Sequence, residues 1–218
     1  MAEIWLIRHA QASFGAADYD KLSDLGHEQS RALGRALRRL GFQPDASFIG
    51  AQRRHRETFQ GIAEGLDCPA PTLHPGLNEF DFTGLLNARF PEGGPEDMHT
   101  DRRSHFRTLR DTVLAWQADE IEAPPESFAA FQQRVQDARH AMLESGAERI
   151  LVVSSGGAIG ETCRAAMDAP AAQMIRFQLQ TRNCGLSRFI LTDRAFHLAT
   201  FNETPHIEAD TSDLLTYP

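Results

Sequence analysis

Residues 4–13 read IWLIRHAQAS, and this stretch decides the fold. Ile4-Trp5-Leu6-Ile7 is apolar without alternation, the pattern of a strand covered on both faces by helices in a parallel sheet. Its end delivers Arg8 and His9 side by side, at the strand exit where open α/β sheets hold their ligands.

Working outward, Ser23 stands as an N-cap before a run with Leu25, Ala32, Leu33, Ala36, Leu37 and Leu40 at helical spacing, and Gly41 ends it. Ala46-Ser47-Phe48-Ile49 reads as a short strand, followed by a second helix in AQRRHRETFQGIAEGL, residues 51–66. From Leu85 to about Pro125 the composition shifts. PEGGPED (91–97) is a loop, and Phe106, Leu109, Val113 and Trp116 mark one helical face, so residues 85–125 read as a cap-like insertion over the sheet edge. Ser127 opens a further helix with Phe128, Phe131, Val135 and Met142 inward, and Gly146 closes it. RILVVSSGGAIGE (149–161) is a strand that breaks at two glycines into a helix. CGLSRFIL and AFHLATF, with a turn at Thr192-Asp193, form a terminal hairpin. Strands alternating with helices and ending in a hairpin predict a three-layer α/β/α sandwich with a mixed, mostly parallel sheet, in a single domain over residues 1–218.

The bulk properties limit the function. A net charge of -8 and a pI near 5.6 leave no general positive field for nucleic acid or an anionic membrane, so any anion must be held by a local cluster. Three cysteines without a CxxC spacing suggest neither a disulfide framework nor a zinc ribbon. The apolar start is cut by Arg8 before it reaches signal-peptide length, and no apolar run is long enough for a membrane span. A cytoplasmic protein is expected.

Within this frame, RRHRETF places Arg53, Arg54 and Arg56 near the start of the second helix. Guanidinium forks beside a helix N-terminus suit an anion, although at least two of the three are expected to be solvated. Glu79 follows Pro75-Gly76 in a turn-like stretch, where a carboxyl beside a bound phosphate can hand a proton to a leaving oxygen. The glycine turn after Ser154-Ser155 presents successive backbone N–H groups suited to phosphate.

These pieces together resemble the histidine phosphatase superfamily, with its phosphoglycerate-mutase-like fold, over essentially the whole chain. Leu6-Ile7-Arg8-His9-Ala10 is similar to the family's Arg-His-Gly motif, with Ala10 in the glycine position. Leu22–Gly34 resembles its first helix, Arg54 with Thr58 its next motif, Leu77-Asn78-Glu79 its proton-donor segment and Arg182-Asn183 the asparagine segment before the last hairpin. The resemblance implies a phosphatase in which His9 is the nucleophile and Glu79 the proton donor, while Arg8, Arg54, Ser155 and Gly156 bind phosphate. Gln11, Ser13 and Asn183 are candidate substrate or support residues, Asn183 as a partner of His9. It implies a small phosphorylated substrate and neither metal nor cofactor, and it leaves the oligomeric state open, a homodimer being one option.

One departure matters. The family pattern has a second histidine where this chain has Ser155, in Ser154-Ser155-Gly156-Gly157. A hydrogen bond to a charged group contributes about 1.5–3 kcal/mol, so a weakened or retuned activity is expected and Ser155→His is expected to raise turnover about tenfold. His55 is expected not to compensate, because a helical step turns it about 100° from Arg54.

The asparagine and long insertions of the mutases are not evident in residues 10–23, which favours hydrolysis over phosphotransfer. Arg89, Arg102, Arg103 and Arg107 in the insertion are candidates for a further anionic group, most of them expected to be solvated among acidic neighbours. Other classes fit less well. The serine-hydrolase elbow needs glycine where Val153 stands, the dinucleotide motif lacks its first glycine at Ser155, and the nine histidines show no metal-ligand spacing. His206 is expected to make a structural contact in the tail. The remaining alternative is a pseudo-phosphatase that binds a phosphorylated ligand without turning it over.

Overall fold

The computed structural model describes residues 1–13, 20–95 and 101–217. The six-stranded sheet runs in the order β3-β2-β4-β1-β5-β6, with β1 at Ala2–Arg8, β2 at Ala46–Ile49, β3 at Pro71–Leu73, β4 at Arg149–Ser154, β5 at Leu186–Leu191 and β6 at Phe196–Glu203. The pairs β1–β4, β4–β2 and β2–β3 are parallel, while β5 joins β1, and β6 joins β5, in antiparallel fashion. This is the mixed, largely parallel sheet expected.

The alternation of side chains along β1 makes the three layers. Trp5 and Ile7 pack with Leu33, Leu37, Phe59 and Ile62 from α1 (Asp24–Arg39) and α2 (Arg53–Ala63). Ile4 and Leu6 face the other way, toward Ala138 and Met142 of α5 (Phe128–Glu144) and Ile159 of α6 (Gly156–Ala166). Both faces of one strand are therefore buried, which accounts for the unbroken apolar run. Local signals set the helix ends: Ser23 accepts from the Gly26 N–H and Ser127 from the Ala130 N–H, while Gly41 and Gly146 follow α1 and α5 with φ of 73° and 69°.

Between β3 and β4 the described residues form a 3-10 turn (Pro75–Leu77) and, ahead of α5, the helices α3 (Phe82–Arg89) and α4 (Arg102–Gln117). The insertion thus begins in a helix, α3, that the sequence reading leaves unassigned, and part of the PEGGPED loop lies outside the described residues. Leu85, Leu109, Val113 and Trp116 bury against Phe128, Phe131, Ala158, Met174 and Ile175, so the insertion shares an apolar core with α5, α6 and α7 (Gln173–Gln180). β3 and α7 are the other elements absent from the sequence reading. No helix among the described residues is long and apolar enough to cross a membrane.

Candidate active site

Parallel pairing sets Arg8 opposite Ser154, so the C-terminal ends of β1 and β4 lie side by side, and the His9 N–H donates to the Ser154 carbonyl at 2.9 Å. β2 ends on the other side of β4, where the Gly50 N–H reaches the Val153 carbonyl at 3.3 Å. Three strand exits therefore converge, and α2 and α6 both begin there.

His9 is 6% exposed. Its Nδ1 lies 2.8 Å from the Ala10 carbonyl. A carbonyl only accepts, so Nδ1 carries the proton and Nε2 keeps its lone pair. Burial, followed by the charges of Arg8 and Arg54, holds the ring's pKa well below the usual histidine value, and the ring is neutral near pH 7. Thr58 fixes the backbone beneath it, accepting from the Ala10 N–H at 3.0 Å and donating to the Arg54 carbonyl at 2.7 Å.

Arg54 is 7% exposed; Nη1 meets Asp20 Oδ1 at 2.8 Å and Nη2 lies 3.4 Å from Ser155 Oγ. Arg8 Nη1 donates to the Thr181 carbonyl at 2.5 Å, and Gly156 faces the same guanidinium: a Cβ built there would lie 3.8 Å from Arg8 Nε. As expected for two of the three helix arginines, Arg53 and Arg56 are exposed, Arg53 pairing with Glu57 at 2.6 Å.

Glu79 closes the arrangement. Both carboxylate oxygens accept from the Gly157 N–H, at 3.1 and 3.0 Å, which puts the acid on the N-terminus of α6. The segment carrying it is held from three directions. Ser154 Oγ donates to the Leu77 carbonyl at 2.7 Å, Arg134 donates to the Asn78 carbonyl at 2.8 Å, and Gln52 Oε1 accepts from the Glu79 N–H at 3.0 Å.

Arg8, His9, Arg54, Glu79, Ser155 and Gly156 are thus brought together. The remaining candidates are engaged elsewhere. Gln11 Oε1 accepts from Ser23 Oγ at 2.8 Å, and Ser13 Oγ donates to the Leu22 carbonyl at 3.0 Å. Asn183 donates to Thr216 Oγ1 at 2.8 Å, in the chain's tail; it is the Cys184 N–H, at 3.4 Å, that meets the His9 carbonyl. Within the insertion, Arg89 donates to Thr112 Oγ1 at 2.9 Å, Arg103 and Arg107 are exposed, and the Arg102 side chain lies outside the described residues. A cavity of about 300 Å³ between α5 and α6, lined by Gln132, Arg139 and Glu161 among others, contains none of the site residues.

One expectation is overturned. His55 does not turn away: it is fully buried, its Nε2 lies 2.7 Å from Ser155 Oγ, and its ring centroid is 5.8 Å from that of His9. Burial, and then the charge of Arg54, push its pKa down to about 3, so it too is neutral. Asp20, Gln52 and Thr181 also escape the sequence reading, since nothing local in the sequence marks them as partners of residues so distant in the chain.

Known proteins resemble this chain in fold and, over part of its length, in sequence. A 2,3-bisphosphoglycerate-dependent phosphoglycerate mutase of Chelativorans sp. is 31% identical over 125 residues, 49% of this chain and 61% of the mutase. An alpha-ribazole phosphatase from Shigella flexneri superimposes with a TM-score of 0.65 at 23% identity, covering 93% of this chain and 96% of its own. A phosphoserine phosphatase from Entamoeba histolytica gives a TM-score of 0.68 at 19% identity, covering 95% and 100%. The model of the histidine phosphatase superfamily, branch 1, matches residues 4–204, and the chain belongs to that superfamily.

Proposed function

We propose that this protein is a phosphatase that hydrolyses a phosphate monoester through a phosphohistidine at His9. The observation that carries this reading is the 2.8 Å contact of His9 Nδ1 with the Ala10 carbonyl: a carbonyl only accepts, so the ring proton sits there and Nε2 is left as the nucleophile beside two arginines. Arg8 and Arg54 would offset the charge of the phosphate dianion as the His9 nitrogen forms its bond to phosphorus and the ester oxygen departs. Glu79, acting as an acid, would give its proton to that oxygen. Its carboxylate would then take a proton from water as the water oxygen attacks phosphorus, releasing inorganic phosphate and neutral His9.

The same reading assigns Ser155 and Gly156 to phosphate binding and needs no cofactor. It makes the protein an enzyme for a small phosphorylated molecule, as the names of the ribazole and phosphoserine phosphatases support, and a cytoplasmic location is proposed with it. It also makes residues 85–125 the cap that selects the leaving group, supported by the packing of Phe80, next to Glu79, against Trp116 at 5.2 Å. The mutase relative favours phosphotransfer as a second reading.

The test is hydrolysis of p-nitrophenyl phosphate and of alkyl phosphates by wild type and His9→Ala, with acid quench to trap labelled phosphohistidine. Inorganic phosphate release and label on wild type alone are expected. Equal rates in the two proteins, with phosphate still bound, would make this a binding protein instead. Return of the phosphoryl group to an acceptor, without phosphate release, would favour the mutase reading.

A further inference from the structure

The sequence presents Ser155 as a loss, a short hydroxyl where the resembled motif has a histidine. The structure supplies an imidazole at the same place from another element. His55 is carried by the first turn of α2 and buried to 0% exposure, and its Nε2 is 2.7 Å from Ser155 Oγ, itself 0% exposed. The fit involves a third residue: a Cβ at Gly50 would come within 2.7 Å of His55 Cε1 and 2.8 Å of Asn78 Oδ1, so the glycine at the end of β2 makes room for this ring.

Three side chains meet at the Ser155 hydroxyl. His55 Nδ1 lies against the Gly50 backbone, while Nε2 reaches Ser155 Oγ at 2.7 Å. Arg54 Nη2 donates to the same oxygen at 3.4 Å, and Gln52 Oε1 lies 3.4 Å from it, both long contacts. The short contact from the buried imidazole is therefore the one that fixes where this hydroxyl sits, beside the Arg54 guanidinium.

We infer that His55 and Ser155 act as a single unit replacing the second histidine, with His55 as a positioning residue that holds the Ser155 hydroxyl beside Arg54 for the phosphoryl oxygens. The inference deepens the phosphatase reading and rests on it for its catalytic consequence. It also reverses the expectation for Ser155→His: the added imidazole would compete with the His55 ring for one buried volume, so the variant loses activity.

The test combines orthovanadate binding, as a probe of the anion site, with p-nitrophenyl phosphate kinetics. His55→Ala and Ser155→Ala are each expected to weaken vanadate binding and kcat/KM about tenfold, the effect of one hydrogen bond to a charged group. The double variant is expected to lose about tenfold again, not a hundredfold, because both substitutions remove one unit. His55→Gln, whose amide can reach the Nε2 position, should keep most of the activity. Ser155→His is expected to fall below wild type, and His55→Ala/Ser155→His, which moves the imidazole to position 155 and vacates position 55, to recover toward wild type.

In the wild-type protein, the NMR signals of the His55 ring are expected to shift when vanadate binds, a readout independent of any variant's folding. Additive losses, a swap variant no better than Ser155→His, or His55 signals unmoved by vanadate would each overturn the inference. If wild type binds vanadate but shows no His9-dependent hydrolysis, the phosphatase reading fails and the vanadate affinities alone decide the role of His55. If wild type binds no vanadate, both fall.

Discussion

Gly157→Ala tests how the position of Glu79 is enforced. The Cβ of an alanine at 157 would overlap Glu79 Oε1 and lie 2.5 Å from Phe80 Cε1, closer than real side chains approach. Phe80 cannot swing aside: it is 3% exposed, with ring centroids 5.2 Å from Trp116 and 5.8 Å from Phe131. The carboxylate must therefore leave the Gly157 N–H, a charge-assisted contact whose loss costs about 1.5–3 kcal/mol. Overpacking adds about 1–3 kcal/mol, while alanine returns up to about 1 kcal/mol of helix propensity. The net destabilisation is about 1.5–6 kcal/mol, and at roughly 2–4 °C per kcal/mol for a chain of this size the Tm falls by roughly 3–24 °C. Activity should fall selectively. p-Nitrophenolate leaves without a proton, so its phosphate ester should lose less than about tenfold, whereas an alkyl phosphate should lose the ~10²-fold or more that a positioned general acid supplies. Calorimetry with steady-state rates on the two esters checks this. An unchanged Tm, or equal losses on both substrates, would refute the assignment of Glu79 as a proton donor held by the Gly157 N–H.

Three further outcomes follow from the buried polar groups. Burial pushes the His206 pKa down to about 4, and neither ring nitrogen has a partner among the described residues. The unfolded chain takes up that proton near pH 6.5, so stability is lost as pH falls from about 6.5 to 4, at up to ~1.4 kcal/mol per unit. His206→Leu should flatten this part of the urea-midpoint profile, and an unchanged slope would contradict it. The depressed pKa of His9 predicts a nucleophile that stays unprotonated well below pH 6.5, with the acid limb of kcat/KM displaced accordingly; an NMR titration of His9 centred near 6.5 would rule this out. Ser154→Ala removes the buried donor to the Leu77 carbonyl, costs about 1–3 kcal/mol in urea denaturation, and should also lower kcat on alkyl phosphates by loosening the Glu79 segment; a variant as stable as wild type would show that the contact contributes nothing.

What was legible in the sequence is what local chemistry determines. The helices α1 and α5 carry their own start and stop in Ser23, Gly41, Ser127 and Gly146, and β1 and β4 show burial on both faces as unbroken apolar runs. β3 escaped because it has no such pattern: three residues long, with Thr72 and Leu73 exposed, it is a strand only through its pairing with β2. α7 buries only Met174 and Ile175 in two turns, too short a repeat to reveal a period. The position of α3 follows from its core partners on α5 and α6, which lie far along the chain.

The same division runs through the site. Arg8, His9 and Glu79 are legible because each ends or follows a recognisable element, while Asp20 and Thr181 matter only as partners brought in by tertiary packing. His55 shows why angular reasoning on one helix misleads. A step of about 100° separates neighbours when both are viewed down the axis, but Arg54 and His55 occupy the first turn of α2, where the helix end itself faces the exit of β4. At such an end, what counts is side-chain reach and not only azimuth. The long guanidinium bends back to 3.4 Å from Ser155 Oγ, and the shorter imidazole arrives at 2.7 Å from another side. Two residues that diverge on a helical wheel therefore converge on one oxygen, a hundred residues further along the chain.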